Sequence, residues 1–262
     1  MTSIIIPAHN EGCRIGTHLS LLTKDLRRDE FEIIVVANGC TDNTAAAAKA
    51  VPGVHVVELA VAGKAAALRA GDEVASRLAR VYLDADVPLT SSGARALAKA
   101  VSQYGMLAAT GRRRIVTRGS SLMVRAYYAV NSRLPVYDHS LFGRGVVALG
   151  PLGRARFDEF PEVIADDLFL DSLFEPHEKC QVDEVVTTIA APRGTIPLIR
   201  RIARVRAGNR ALARSRPPHR TSWLRHVVLP RPWLWPAAVC YVAVILAAEV
   251  MSRRATLTWG SS

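Results

Sequence analysis

The sequence predicts an α/β protein, with a Rossmann-like, mostly parallel sheet flanked by helices and a basic, hydrophobic C-terminal segment that associates with a membrane. In the first hundred residues, short apolar runs alternate with segments of helical periodicity, which is typical of right-handed β-α-β units. Half of the 262 residues are hydrophobic, enough for a full core and too many for a disordered chain.

The elements follow in order from these patterns. The first strand is TSIIIP, and a helix over residues 11–26 follows, with Ile15, Leu19, Leu22 and Leu26 on one face. The strand FEIIVVAN leads through the turn GCTDNT to the helix AAAAKAV, and the strand GVHVVEL leads to a helix over residues 63–79. Further along, the strands are RVYLDAD, MLAATGRRRIV, LFGRGVVALG and CQVDEVVTTIA, and the helices are SSLMVRAYYAVNSRL and IADDLFLDSLF.

Polar clusters follow the predicted strands at their carboxyl ends. They are AHNE after the first strand, NGCTDNT after the second, GK just beyond the third and DAD after the fourth. Ligands of open parallel sheets bind at the carboxyl ends of the strands. The four clusters therefore predict one binding site at this edge of the sheet.

The DAD cluster suggests a metal. In an extended backbone, residues two apart point to the same side, so Asp84 and Asp86 are expected to project together. Two neighbouring carboxylates repel each other unless a cation lies between them, and a hard divalent metal prefers oxygen ligands. The alternative is a loop whose aspartates are solvated or cap the next helix.

The cysteines and the N-terminus favour a reduced, cytosolic setting. The four cysteines are widely scattered and match no zinc or C-x-x-C spacing; they are Cys13, Cys40, Cys180 and Cys240. The opening MTSIIIPAHNEG contains no apolar stretch long enough for a signal peptide, so none is expected.

The excess positive charge lies in the C-terminal part of the chain. Residues 193–254 contain thirteen arginines, no lysine and one acid, Glu249, so this segment carries +12 and the rest of the chain carries −1, which gives the net charge of +11. A basic segment binds nucleic acid or anionic lipid equally well by charge alone. Residues 232–248 decide between them, because they carry no charge and have tryptophans at their entrance (Trp223, Trp233 and Trp235). The sequence therefore predicts contact with an anionic membrane surface and no binding of nucleic acid. Three forms of the apolar segment remain open: a short spanning helix beginning near Ala237, an interfacial anchor and a buried helix of a soluble protein.

Taken in order, SIIIPAHNE, VVANGCTDNT, GKAAALRAG, LDAD and ADDLFL resemble the motifs of family 2 glycosyltransferases, which have a glycosyltransferase A-type fold. The resemblance extends over roughly residues 3–185. It implies an inverting enzyme that moves a sugar from a nucleoside-diphosphate sugar to a hydroxyl acceptor. It also implies a divalent metal, Mn²⁺ or Mg²⁺, and a UDP-sugar is the first expectation for the donor.

The resemblance assigns donor binding to the residues at the strand ends. They are Pro7, Ala8, Asn10, Glu11, Asn38, Asp42, Lys64, Asp84 and Ala85, with Asp86 as the metal ligand. Simpler alternatives exist for three of them: Glu11 lies in a helix first turn, Asp42 suits a helix N-cap, and Lys64 suits an exposed surface. Ala37 and Asn38 stand where the family often has acids, so the base of the nucleotide is left open.

The pair Asp166–Asp167 matches the acid pair that supplies the family's catalytic base. By this match Asp167 is the base and Asp166 supports it or orients the acceptor; two stabilising acids at a helix N-terminus are the alternative. Weaker candidates for the wall where acceptor and donor sugar meet are Gly143, Arg144 and Gly145. The family's processive members have a glutamine/arginine–tryptophan signature after the base, whereas RRIARVRAGNR has no tryptophan, which favours transfer of a single sugar. In that segment Arg201 and Arg204 are candidates to reach the diphosphate or to face lipid.

Four regions are expected: a catalytic domain over residues 1–192, an arginine-rich amphipathic segment over 193–231, a hydrophobic membrane-associated helix over 232–251 and a tail over 252–262. The acceptor is hypothesised to be lipid-linked or a cell-envelope precursor, and the location to be the cytoplasmic face of the cell membrane. Two other functions stay open: a sugar-phosphate nucleotidyltransferase, for which PAHNEGCR is a poor match to the usual glycine- and arginine-rich loop, and a catalytically silent nucleotide- or membrane-binding protein.

Overall fold

The computed structural model describes residues 1–162, 165–212 and 223–253. Its seven strands are β1 (Thr2–Ala8), β2 (Phe31–Asn38), β3 (Val54–Leu59), β4 (Ala79–Leu83), β5 (Ala108–Val116), β6 (Val146–Leu149) and β7 (Lys179–Ala190). The helices are α1 (Ile15–Thr23), α2 (Thr44–Lys49), α3 (Lys64–Val74), α4 (Ser91–Ser102), α5 (Leu122–Asn131), α6 (Pro151–Arg154), α7 (Asp166–Ser172), α8 (Thr195–Leu212) and α9 (Trp235–Ser252).

The strands form one sheet in the order β3-β2-β1-β4-β6-β5-β7. The pairs β1–β2, β1–β4, β2–β3 and β5–β7 are parallel, and β6 runs antiparallel to both β4 and β5. Parallel pairs therefore predominate, as the sequence predicts. The carboxyl ends of β1, β2 and β4 lie at the same edge of the sheet because these strands are parallel.

Helices cover both faces of this sheet. On one face, α1, α2 and α4 bury residues such as Ile15, Ala48 and Leu97 against the strands. On the other face, α3 and α7 contribute Leu68 and Leu170 to a second apolar cluster. The burial of these side chains is the main force that holds the helices to the sheet.

A third apolar cluster lies among α5, α8 and α9. Tyr127 of α5 and Tyr241 of α9 stack with their ring centroids 5.2 Å apart, and Leu198 of α8 is buried in the same cluster. Ion pairing adds to this packing, because Arg206 Nη1 lies 2.7 Å from Glu249 Oε2. The C-terminal apolar helix therefore packs on the protein along one of its faces.

Several predicted elements have different bounds in the structure; helix α1, for example, begins at Ile15 instead of residue 11. Helix α3 ends at Val74 instead of residue 79, because Ala75 is extended (φ −72°, ψ 122°) and leads into β4. The predicted strand over 141–150 is reduced to β6, because Gly143 and Gly145 have φ of 68° and 70° and form a turn. Strand β4 ends at Leu83, and Val87 N donates to Asp84 O (3.0 Å). Asp84 and Asp86 therefore lie in a turn and not in the extended strand that the sequence predicts.

Candidate functional site

One ammonium joins two of the predicted acidic motifs. Lys64, the first residue of α3, places its Nζ 2.7 Å from Asp84 Oδ1 and 3.0 Å from Asp166 Oδ1. Asp84 follows β4, and Asp166 begins α7, so the contact brings the GK, DAD and DD motifs together. The Lys64 side chain is 21% exposed and that of Asp166 is 15% exposed. The exposed-surface alternative for Lys64 is wrong.

Asp167 lies beside this cluster and is held by backbone donors. Gly143 N donates to its Oδ2 (2.7 Å), and Leu168 N donates to its Oδ1 (2.8 Å). The same small cavity is lined by Pro7, Lys64 and Asp84 together with both acids of α7. The two aspartates therefore face the ends of the strands as well as occupying a helix first turn.

Burial and mutual repulsion make these acids weaker than free aspartate. Burial raises the pKa of Asp166 to about 6; the Lys64 ammonium counteracts part of the rise and Asp167 adds to it. Burial also raises the pKa of Asp167, whereas the Gly143 N–H stabilises its anion and limits the rise. Burial alone would lower the pKa of Lys64, yet Asp166 and Asp84 more than offset it and the pKa is raised well above normal. Lys64 is therefore a fixed cation among carboxylates.

Asp86 points to a different environment from Asp84. Its side chain is exposed, and its pKa is raised by partial burial and by the Asp84 carboxylate. The pKa of Glu11 is also raised, by burial and then by the charge of Asp86. The carboxylate of Glu11, in the loop before α1, and that of Asp86, in the DAD loop, thus repel each other at the rim of the site. His18 ties the same two elements together, since its Nδ1 donates to Ala85 O (2.8 Å).

The loops after β1 and β2 are cross-linked by polar side chains. Asn10 Oδ1 accepts from Thr41 N (2.9 Å), and Glu11 N donates to Thr44 Oγ1 (2.8 Å). Asp42 accepts from Gly12 N (2.9 Å) and from Thr44 N (3.0 Å), which lowers its pKa, the hydrogen bond from the Thr44 hydroxyl being the largest cause. Asp42 therefore orders the loop and the start of α2, although the residue at the N-cap position of α2 is Asn43.

Asn38 is fully buried and holds three segments together. Its Nδ2 donates to Ala8 O (2.8 Å), and its Oδ1 accepts from Gly63 N (3.1 Å). Asn38 thus connects the ends of β1 and β2 with the start of α3. Ala8 and Ala85 are also buried, so only their backbone atoms are available to a bound nucleotide sugar.

The turn before β6 brings backbone close to the DAD loop. Gly145 O accepts from Asp84 N (2.8 Å), and a Cβ built on Gly145 would lie 2.4 Å from Val87 Cγ2. Between the two glycines, Arg144 is 2% exposed and donates to Gly111 O (3.1 Å) and to Gln181 Oε1 (2.8 Å). Of the three residues predicted for the acceptor wall, Gly143 lies against Asp167, Gly145 lies against Asp84, and Arg144 points into the protein.

Sequence reasoning missed Arg113, which lies next to this turn. Its guanidinium is 3.6 Å from the centroid of the Tyr137 ring, and its Nη1 is 3.7 Å from a Cβ built on Gly143. The basic tip of β5 was visible in the sequence. The proximity of Arg113 to Gly143 and Tyr137 was not, because both are distant from it in sequence.

The donor set suits a metal that is completed by a substrate. Within residues 1–162, 165–212 and 223–253, no three acidic, histidine or cysteine side chains converge on one metal position. The exposed carboxylate of Asp86 and the neighbouring Glu11 supply hard oxygen atoms at the rim. Mg²⁺ is commonly bound by one or two carboxylates together with substrate phosphates. The residues present fit that arrangement.

A family model describes more than half of this chain. Residues 3–148 match the glycosyl transferase family 2 model. No curated protein sequence matches the chain.

Solved structures show the same fold at low sequence identity. A mannosyltransferase from Pyrobaculum calidifontis, in complex with GDP-Man and Mn²⁺, has a TM-score of 0.62 and 23% identity; 97% of this chain and 79% of that chain are covered. A glucosyl-3-phosphoglycerate synthase from Mycobacterium tuberculosis, in complex with Mn²⁺, UDP-glucose and phosphoglyceric acid, has a TM-score of 0.59 and 19% identity, covering 80% and 79%. The same synthase with Mg²⁺ and UDP has a TM-score of 0.57 and 20% identity, covering 80% and 78%.

These findings confirm the mixed α/β, glycosyltransferase A-type fold and the predicted family. With its strand-end motifs gathered at one edge of the sheet, the chain belongs to glycosyltransferase family 2 and is a glycosyltransferase.

Proposed function

We propose that this enzyme is an inverting, metal-dependent glycosyltransferase that moves one sugar from a nucleoside-diphosphate sugar to a hydroxyl acceptor. The observation that carries the proposal is the convergence of Lys64, Asp84, Asp166 and Asp167 at the carboxyl edge of the sheet. Inversion by direct displacement needs a base for the acceptor hydroxyl on the side opposite the leaving nucleoside diphosphate.

Asp167 is the base in this proposal. Its two backbone donors fix the carboxylate in one orientation, and its raised pKa makes it a better proton acceptor than an ordinary aspartate. Asp166 is instead bound to the Lys64 ammonium, which reduces its availability as a base. Asp166 keeps Lys64 in place and contributes negative charge that favours protonation of its neighbour.

Donor binding is proposed for the edge formed by the loops after β1, β2 and β4. The cross-linked loops of Asn10 and Asp42 give a rigid wall, and Glu11 and Asp84 border it. Lys64, at the start of α3, is placed to compensate the charge of a diphosphate. The solved structures with GDP-Man and UDP-Glc support a nucleotide sugar, and a UDP-sugar is the first donor to test.

The proposed metal is Mn²⁺ or Mg²⁺, held by Asp86 with Glu11 and Asp84 close by. When bound, such an ion stabilises the negative charge that develops on the departing diphosphate. The similar solved structures that contain Mn²⁺ or Mg²⁺ support this assignment. The chain's own contribution is an exposed carboxylate on a loop that His18 and Gly145 hold against α1 and β6.

The test is release of nucleoside diphosphate from UDP-glucose and GDP-mannose in the presence of Mn²⁺. Turnover is expected with one of the two donors, and it should be lost on chelation and in Asp86→Asn. Glu159→Gln is the control, because Glu159 is an exposed acid away from the site. Turnover that survives both chelation and Asp86→Asn would reject the metal-dependent mechanism.

We further propose that α9 attaches the enzyme to the cytoplasmic membrane surface as an interfacial anchor. Residues Pro232–Ser252 are long and apolar enough to cross a membrane. One face of α9 is buried on α5 and α8, through residues such as Tyr241 and Val244, while Val239 and Leu246 are exposed. A helix that shares one face with the protein and offers an apolar face to the outside suits lipid headgroups better than an isolated span.

The residues around α9 support the same attachment. Trp233 and Trp235 are 71% and 57% exposed at the beginning of the helix, where indole rings favour the interface. Exposed arginines, among them Arg200 and Arg225, suit anionic headgroups. An acceptor that is lipid-linked or a cell-envelope precursor would be reached from this position. Residues 213–222 of the arginine-rich segment and 254–262 of the tail lie outside the described residues.

A further inference from the structure

Arg113 lies in β5 just after an irregularity in the pairing of β5 with β7. Gly111 pairs with Val182 and Arg112 pairs with Val186, so the extra residues lie in β7 and β5 keeps its own alternation. Arg112 and Arg114 are exposed, whereas Arg113 is half-buried between them. Alternation along β5 therefore places Arg113 on the other side of the strand from Arg112 and Arg114, where it lies near the turn before β6.

The contacts of Arg113 place it beside the proposed base. Its guanidinium stacks on Tyr137 at 3.6 Å, and its Nη2 donates to Asn131 Oδ1 (3.2 Å). Its Nη1 is 3.7 Å from a Cβ built on Gly143, whose N–H donates to Asp167 at 2.7 Å. Among the described residues no carboxylate forms an ion pair with Arg113, so its remaining N–H groups are available to an anion.

A second guanidinium, that of Arg144, has no acidic partner in the part of the chain that the structure describes, and it lies behind the first. Arg144 is 2% exposed, and its bonds go to backbone carbonyls and to Gln181. Its buried Nε has no hydrogen-bond partner in the structure. Burial, followed by repulsion from Arg113, lowers the pKa of Arg144 to about 10. Asp138 and Asp171 counteract part of this from a distance, but neither pairs with Arg144 within the described chain.

Arg201 of α8 extends the positive charge toward the helices α5, α8 and α9. Burial raises the pKa of the Tyr128 phenol, and both Arg201 and Arg113 lower it, so the two arginines flank this ring. The Arg201 side chain is exposed. A positively charged strip thus runs from the proposed base to the surface that carries α8 and α9.

We propose that Arg113 forms an anion subsite beside Asp167 and that the acceptor carries a phosphate group near the hydroxyl that receives the sugar. This proposal rests on the proposed function. A planar guanidinium binds two phosphate oxygens at once, and an incoming dianion relieves the repulsion between Arg113 and Arg144. The phosphate belongs either to a soluble phosphate ester or to a phospholipid-type headgroup, which share this chemistry.

The experiment uses the full chain with saturating UDP or GDP, whichever binds, and Mn²⁺, so that a phosphate cannot occupy the diphosphate position. Glycerol 3-phosphate and dihexanoyl phosphatidic acid are titrated calorimetrically into wild type, Arg113→Gln and Arg112→Gln. Binding to wild type and to Arg112→Gln is expected, with about tenfold or greater weakening in Arg113→Gln. Tighter binding of the phosphatidic acid assigns the phosphate to a lipid, and tighter binding of glycerol 3-phosphate assigns it to a soluble ester.

Two results would overturn the subsite. One is that wild type binds the nucleotide but neither phosphate compound, or that the phosphate compounds bind Arg113→Gln as tightly as they bind wild type. The other is loss of nucleotide affinity and of thermal stability in Arg113→Gln, which would show that Arg113 only supports the turn through Tyr137. Failure of wild type to bind any nucleotide would instead reject the proposed function.

Discussion

The two halves of the sheet edge are built from different chemistry. Around β1, β2 and β4, amides, hydroxyls and carboxylates bond mainly to backbone groups, as at Asn10, Asn38 and Asp42. Around β5 and β6, the prominent groups are the guanidinium ions of Arg113 and Arg144, which have no acidic partner among the described residues. The first half gives a rigid wall that suits a nucleotide, and the second half has charge that suits an anionic acceptor and a membrane surface. The aspartates of α7 lie where the halves meet.

The largest expected effect is at that meeting point. Asp167→Asn removes the proposed base and keeps the shape of the side chain, although its amide has one acceptor oxygen for the two backbone N–H groups that the carboxylate binds. The transfer rate should fall by about 10²- to 10⁴-fold. Nucleotide affinity should not change, because the donor wall does not include this residue. Steady-state rates and calorimetric affinities measure the two quantities, with Asp158→Asn, an exposed acid, as the control. A rate within about tenfold of wild type would remove Asp167 from this role.

The next effect tests the membrane side of the comparison. Replacing both Trp233 and Trp235 with serine should weaken binding to anionic vesicles by about tenfold or more, because two exposed indoles are lost from the interface. Leu78→Ser is the matched control, since Leu78 is 75% exposed and directly precedes β4, outside the C-terminal segment. Sedimentation with vesicles gives the bound fraction. Equal binding of the double variant and of wild type would contradict the anchor.

A smaller effect tests the rigidity of the nucleotide wall. Asn38→Ala leaves the Ala8 carbonyl and the Gly63 N–H without their buried partner, so the free energy of unfolding should fall by about 1–3 kcal/mol. Asn43→Ala is the control, because Asn43 is exposed and makes no side-chain capping bond. Denaturant unfolding measures both variants. If the two variants lose the same stability, Asn38 does not hold the three segments together.

The smallest effect is a pH dependence at Asp166. Its pKa is raised from 3.8 to about 6, so the folded state holds the proton more tightly than the unfolded state does. Stability from this group is therefore present at low pH and is lost as the pH rises through this range. Asp166→Asn lacks this loss, so its unfolding free energy relative to wild type should be higher at pH 7 than at pH 4. The same difference at both pH values would argue against the raised pKa.

The parts of this molecule that sequence predicts well are those set by local pattern. The β-α-β units could be predicted from the apolar runs of β1 and β2 and from the helical period of α1. Turn residues mark where the strands end. The polar clusters could be assigned to one edge because parallel strands end together. The predicted site residues gather there on that account.

The parts that sequence did not predict depend on tertiary geometry. The salt bridges of Lys64 join segments that are distant in sequence, and no spacing rule connects them. The turn at Gly143 and Gly145 shortened a predicted strand, because a pattern of apolar residues does not show a positive φ. Arg113 was missed because the groups around it, Tyr137 and the turn at Gly143, come from parts of the chain distant in sequence.

The central claim is that this edge of the sheet binds a nucleotide together with a metal. The most direct measurement is the thermal stability of wild type and Asp86→Ala with UDP, GDP, dTDP and CDP, each with and without Mn²⁺. A ligand that binds only the folded state raises its stability. We predict that one nucleotide raises the melting temperature of wild type only when Mn²⁺ is present, and that Asp86→Ala loses the effect. The absence of any shift with all four nucleotides would contradict the claim.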